Sequence, residues 1–182
     1  MAKFYTGLDD RLKRFIVEQK IFFTATAPAS GRINLSPKGM DTFRIFDDTT
    51  AGYLDLTGSG NETSAHIGAD GRLTIMLCSF GETPTILRLY GRGEVARMGT
   101  ARWDELHPRF DSTPGERQII VLHIESAQTS CGFAVPLFEY TGERGTLKEW
   151  AEHKGDGGLE EYRQNKNLTS IDGIPTGWPE KN

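Results

Sequence analysis

At 182 residues the chain is long enough for one domain with a sizeable core, and a second independent core is not expected. Lys+Arg 21 against Asp+Glu 25 leaves a formal net charge of −4, without the basic surplus of a dedicated nucleic-acid binder. With 37% apolar, 10% aromatic and 25% charged residues, the composition is that of a globular protein and excludes wholesale disorder.

The N-terminus is charged within ten residues and carries no apolar run of the signal-peptide kind. No stretch approaches the ~18 apolar residues of a membrane span. A reducing cytosol is therefore the expected address, with neither membrane nor nucleic acid as partner. Asp9–Gln19 places Leu12, Phe15 and Ile16 on one side at helical spacing, with Asp9 or Asp10 to cap the start. The period then switches to that of strands. Ile21–Ala27 and Arg32–Ser36 form a pair around Pro28-Ala29-Ser30-Gly31, and Pro37-Lys38-Gly39 breaks the second of them. Thr42–Phe46 and Gly52–Leu56 follow, then the polar loop Thr57–Thr63, a short helix over Glu62–Ile67, and a turn at Asp70-Gly71. Strands are predicted at Arg72–Ser79, Thr85–Val95, Arg117–Glu125 and Thr129–Ala134, with a short helix at Trp103–Leu106. Behind Pro136, Leu147–His153 and Leu159–Gln164 read as helices split by Gly155-Asp156-Gly157-Gly158, and Asn165–Asn182 reads as irregular.

Short strands at close intervals with helices at both ends predict a mainly β fold, a barrel or a sandwich with flanking helices. A doubly wound fold needs a helix of about ten or more residues between successive strands, and the first half of the chain has none. The two cysteines, Cys78 and Cys131, form neither a disulfide framework nor a Cys-x-x-Cys pair, and Cys78 sits in an apolar run as a buried thiol.

Leu54–Ile67 is the chemically suggestive stretch. A strand runs into small polar residues and then a helix start, where free N–H groups and the helix dipole favour an anion. Thr57, Ser59, Thr63 and Ser64 add hydroxyls, and Gly58 and Gly60 allow close approach. The plainer alternative is a turn in which Asn61 caps the helix. Arg88, between Leu87 and Leu89, is either a solvent-facing member of an alternating strand or a buried charge that needs a ligand. Gly91-Arg92-Gly93-Glu94-Val95-Ala96 matches a loose dinucleotide pattern, but no apolar helix follows it. The histidines at 66, 107, 123 and 153 share no metal-ligand spacing.

Taken in order, IFFTATA…GRINLSPKG, GYLDLTGSGNET, RLTIMLCSF and TILRLYGRGEV resemble the pyridoxamine 5'-phosphate oxidase-related family of FMN-binding split barrels, over roughly residues 9–135. The resemblance implies a split β-barrel core over 1–135 with a helical extension and tail at 136–182, all in one domain. It also implies a homodimer with cofactor sites at the subunit interface, and a small-molecule substrate. The family's flavin-contacting strand Arg falls on Arg32 and its nearby Lys beside Lys38. Its phosphate-binding Thr falls on Thr57, and the Arg of its later strand falls on Arg88. The family's Ser-Arg-Lys falls on Asn61-Glu62-Thr63, so two cations become one anion and one neutral residue. The substrate-side Arg and His of a true pyridoxamine phosphate oxidase have no counterpart, and that specific activity is not expected.

The resulting expectation is an FMN-binding oxidoreductase of unknown substrate. Arg32, Lys38, Thr57, Gly58, Ser59, Asn61, Thr63 and Arg88 would hold the cofactor, with the catalytic residues unassigned and no metal. The alternative is a non-catalytic flavin- or haem-binding sensor on the same fold, with His66, His123 or His153 as the axial candidates. Deazaflavin is the other substitute for FMN, and a scaffold that has lost its ligand is the third reading.

Overall fold

Capping and alternation build the elements as the residues dictate. In a computed structural model describing residues 2–181, the chain forms β1 (Lys3–Tyr5), α1 (Asp10–Glu18), β2 (Phe22–Thr26), β3 (Asn34–Lys38), β4 (Phe43–Ile45), β5 (Thr50–Leu56) and α2 (Glu62–Ala69). Then come β6 (Arg72–Cys78), β7 (Ile86–Arg97), α3 (Ala101–Leu106) with a 3-10 turn at His107–Arg109, β8 (Glu116–Ser130) and α4 (Thr146–Lys166). Asp9 caps α1, its carboxylate accepting the Leu12 N–H at 2.7 Å. The strands form one antiparallel sheet in the order β3-β2-β6-β7-β8-β5-β4, with β1 alongside the far end of β8. The sheet curls into a barrel, and no β3–β4 pairing closes it among the described residues. This is the split barrel the sequence predicts.

Its interior holds Leu12 and Ile16 of α1 against Phe22, Tyr53, Leu73, Ile75, Leu77, Leu87, Leu89, Ile120 and Leu122. A second cluster lies on the outer face of β5 and β8, where Leu54, Ile119 and Val121 pack under Trp103, Leu106 and Phe110. Burial on both faces makes this stretch of β8 a continuous apolar run rather than an alternating one.

Four elements differ from expectation. The short β1 pairs with residues 127–129 of β8 and carries no pattern long enough to read. The two strands predicted at 117–125 and 129–134 are one strand, because the polar residues between them face outward instead of forming a turn. A bulge absorbs the offset: Tyr90 pairs Ser126 and Gly91 pairs Ile124. There β8 comes so close that a Cβ on Gly91 would lie 1.9 Å from the His123 carbonyl oxygen, so only glycine fits. β3 runs through Pro37 instead of breaking there; as an edge strand it tolerates a residue without an N–H. The helices around residue 155 meet at a kink, where Gly155 takes φ 62.

Beyond α4 the chain folds back as a small hairpin, bridged between Thr169 and Pro175 and tied internally by the Ser170 hydroxyl, which accepts the Asp172 and Ile174 N–H groups. It lies against the chain's own barrel. Ser64 Oγ and Arg97 both donate to the Thr176 carbonyl at 2.7 Å, and the Arg163 guanidinium stacks over Trp178.

Candidate functional site

The loop after β5 and the start of α2 border a cavity of about 360 Å³, walled by Asn34, Ser36 and Lys38 on one bank and Gly58–Thr63 on the other, with Asp55 and Arg117 at its floor. A second cavity of about 520 Å³ shares Asn34, Ser59, Gly60 and Glu62, and continues outward past Arg32, Ile33 and Lys166 to Thr169–Ile171.

The floor is an ion network set by a bulge. Asp55 pairs Gln118 and Leu56 pairs Glu116, so Arg117 is the extra residue and both it and Gln118 reach the same carboxylate. Arg117 donates to Asp55 Oδ2 from Nη2 at 2.6 Å and from Nε at 3.2 Å, and Gln118 Nε2 adds a bond at 2.9 Å. Lys38 reaches Asp55 Oδ1 at 3.1 Å. Burial alone would push the Asp55 carboxyl up, but Arg117 and Lys38 more than offset it and hold it well below the usual carboxylate range. Burial likewise works against the Lys38 charge, and Asp55 outweighs it, raising the ammonium pKa. Two cations thus share one carboxylate, and the floor of the cavity keeps a net positive charge.

Asp55 also orients the amides beside it. A carboxylate only accepts, so the Gln118 atom facing it must be the amide nitrogen. That same nitrogen donates to Asn61 at 2.7 Å, so the Asn61 atom facing it must be oxygen. The Asn61 NH₂ group is left buried without a partner at the head of α2. It does not cap the helix, and the backbone N–H groups from Gly58 through Ser64 make no hydrogen bond among the described residues. Donors without a protein partner thus gather at the cavity wall, the arrangement that favours an anion, while Gln118 Oε1 behind them is a buried acceptor without a partner.

The nominated residues divide into four placements. Lys38, Gly58, Ser59, Asn61 and Thr63 come together around the inner cavity. Arg32 stands at the outer one, ion-paired with Asp172, whose Oδ2 also accepts the Arg32 backbone N–H at 2.7 Å. Thr57 lies just beneath, buried, its hydroxyl accepting from Arg163 Nε at 2.9 Å. Arg88 is apart from the rest, donating to Ser130 Oγ at 3.1 Å between β7 and the end of β8. Glu62, the residue that most disturbs the family pattern, turns aside: its carboxylate accepts the Ile171 N–H of the tail at 3.0 and 3.2 Å.

Sequence reasoning passed over Asp55, Arg117 and Gln118, although a lone carboxylate in GYLDL and an Arg-Gln pair opening an apolar strand were visible signals. Asn167 was passed over too; it accepts from Arg117 at 2.7 Å and donates to the Gly58 carbonyl at 3.1 Å, and nothing local in the tail marks it. The haem-ligand candidates stand outside the cavity. His66 is buried with Nδ1 3.0 Å from Thr26 Oγ1, His123 pairs with Glu94 at 2.8 Å, and His153 is on the surface of α4.

Comparison with known proteins agrees with this architecture. The family model described as pyridoxamine 5'-phosphate oxidase matches residues 8–131. The pyridoxamine 5'-phosphate oxidase family protein ustO of Aspergillus flavus is 38% identical over 193 residues, covering 96% of this chain and 78% of that one. Among solved structures, a variant of Group A Streptococcus HupZ superposes with TM-score 0.53 at 22% identity, covering 67% of this chain and 98% of that one. A candidate pyridoxamine 5'-phosphate oxidase from Lactobacillus delbrueckii gives TM-score 0.53 at 18% identity, covering 68% and 94%. At those identities the two structures speak for the fold alone.

Proposed function

The chain belongs to the pyridoxamine 5'-phosphate oxidase family, and on that premise we propose that it is an FMN-binding oxidoreductase whose cofactor phosphate is held by the Gly58–Ser64 loop and helix start. The observation that carries this reading is the buried, unpartnered Asn61 NH₂ beside a run of free backbone N–H groups. Those donors fit a phosphate monoester without the cations other members place there, because neutral donors bound to an anion still form charge-assisted bonds. The Ile171 N–H fixes the Glu62 carboxylate at the cavity rim, and the net positive charge of Lys38 and Arg117 around Asp55 offsets its repulsion.

FMN, when bound, supplies hydride or electron transfer; the chain supplies placement and field. Asn61 and the α2 N-terminus orient the phosphate, and Ser59 and Ser36 offer hydroxyls at the cavity wall. Lys38, charged and fixed by Asp55, adds positive potential where the cavity meets the aromatic groove beneath residues 138–150. That groove, about 1240 Å³ with Phe23, Phe80, Phe138 and Trp150 among its walls, is where we place a small substrate. Phe133, Leu137 and Phe138 are 83%, 70% and 67% exposed on the segment flanking it, and such a patch supports a homodimer that covers it.

Titration of the purified protein with FMN and with riboflavin, followed by flavin fluorescence, tests the reading. FMN is expected to bind roughly tenfold or more tightly than riboflavin, since at least one charged hydrogen bond goes with the phosphate. The native mass is expected at twice that of the chain. Equal affinity for the two flavins would place the phosphate elsewhere, and absence of flavin binding would end the proposal.

A further inference from the structure

Beyond β8 the chain crosses the barrel as a strap that walls the aromatic groove without a core of its own. Every residue from Pro136 to Gly145 is exposed, and none belongs to a helix or strand. A segment so poor in buried contacts sits at the low end of local stability. Two attachments hold it. At one end the Phe138 N–H donates to the Phe80 carbonyl at 3.1 Å, and the two rings pack with centroids 5.2 Å apart. At the other, Glu143 uses both carboxylate oxygens. Its Oε1 accepts the Tyr140 hydroxyl at 3.1 Å, and its Oε2 accepts the Met40 N–H at 3.3 Å.

The receiving end of that second attachment is braced. Met40 and Asp41 take φ 59 and 52, left-handed values that persist in residues with side chains only where the surroundings impose them. Here Arg44 of β4 donates to the Asp41 carbonyl at 2.7 Å and to its carboxylate at 3.2 Å. The Thr42 hydroxyl donates to the Gly39 carbonyl at 2.8 Å. The strap's own end is hinged. Gly142 and Gly145 flank Glu143-Arg144, and Gly142 takes φ 139 with nothing within 4 Å of a Cβ placed there. No neighbour excludes a side chain at 142; the backbone angle alone calls for glycine. Glu143 also stands between two cavities. Lys20, Gly39, Tyr140 and Glu143 border both the groove and a cleft of about 520 Å³ that runs past Phe22, Thr42 and Phe43 between β3 and β4.

We infer that residues 139–145 are a lid on the aromatic groove, latched by Glu143 on the Met40 N–H. The inference rests on the assignment of that groove to the substrate. With the latch made, Tyr140 and Glu143 close the groove toward the unpaired β3–β4 edge. With it broken, the segment swings at Gly142 and Gly145, and groove and cleft become one opening through which a ring-bearing substrate enters. Glu143 thus governs access and takes no part in the chemistry.

The experiment follows the full chain, native and as Glu143→Ala and Glu143→Gln, by amide exchange and by stopped-flow binding of 8-anilinonaphthalene-1-sulfonate. Glu143 is exposed, and a thermal melt checks that each variant folds. Energy transfer from Trp150, which lines the groove, reports dye bound there, and a Trp150→Phe control identifies that share of the signal. Glu143→Ala is expected to speed exchange across 139–145 and at Met40 about tenfold, the share of one hydrogen bond in a local opening, with β6 and β7 unchanged. The dye should enter the groove faster by a similar factor. Glu143→Gln, which keeps an oxygen for the Met40 N–H, should lie between alanine and the native chain in both measurements. Unchanged exchange in Glu143→Ala would overturn the latch, and faster exchange with an unchanged entry rate would overturn the lid; either result leaves the groove standing as the substrate site. Absence of any Trp150-dependent signal would remove the groove as a substrate site and the lid with it.

Discussion

Asp55→Asn is expected to cost about 3–5 kcal/mol of folding stability, the largest single effect at the floor of the cavity. The isosteric amide keeps the shape but strands Arg117 and Lys38, and Arg117 is only 3% exposed. It also frees Gln118, whose amide has its direction from this carboxylate. For a chain of this size, a loss of that magnitude lowers the thermal midpoint by roughly 6–20 °C. If the cost lies in stranded charge, Arg117→Met should be less damaging in the Asp55→Asn background than alone, with a coupling of about 1 kcal/mol or more. The pH dependence has a definite sign. Asp55 is held below its ordinary carboxylate pKa of 3.8, so its contribution is present above that value and is lost as the pH falls through and below it. The gap between native and variant stability should therefore shrink as urea unfolding is followed from pH 5 down to pH 2. A variant within about 1 kcal/mol of the native protein at pH 7 would mean that the network contributes little to folding.

The fold was legible because its signals are local and repeated. The Asp9 cap, the alternation in β2 and β6 and the glycine punctuation each point to the same barrel without reference to a partner element. The helix start at Asn61 was legible for the same reason. Arg117 was not, because its direction depends on a bulge, and a bulge is a mismatch between two strands that neither carries alone. Arg163 and Asn167 lie about a hundred residues beyond the loop they hold, and helical periodicity in that segment describes only the face of α4. The tail shows the limit most clearly. Its glycines and prolines forecast irregular structure correctly, but not that Thr176, Asp172 and Ile171 would each find a bond on the chain's own barrel. Glu62 belongs to this group: set against the family pattern it reads as a repulsive charge, and only the hairpin shows it to be an anchor.

Asn61→Asp separates the binding role of that corner from its structural one, because the two respond in opposite directions. The substitution keeps the oxygen that accepts from Gln118 and replaces the unpartnered NH₂ with a second, charged oxygen. In the unliganded protein that oxygen is a helix cap beside free N–H groups, a favourable place for a carboxylate that compensates its burial. Stability should thus stay within about 1 kcal/mol of the native value. Against a phosphate the same oxygen removes a donor, occupies the N–H groups the ligand needs, and adds like charge at contact distance. FMN affinity is expected to fall a hundredfold or more, about 2.7 kcal/mol, whereas riboflavin, which has no phosphate to repel, should change less than threefold. Asn61→Ala, which deletes the donor without adding charge, should lie between them at roughly tenfold. A loss below tenfold for the aspartate, or an equal loss for both flavins, would mean that the free N–H groups of this loop face something other than the phosphate. The alanine then distinguishes the remaining cases: if it too leaves FMN binding intact, the unpaired amide is a cost carried by the fold and not part of the receptor.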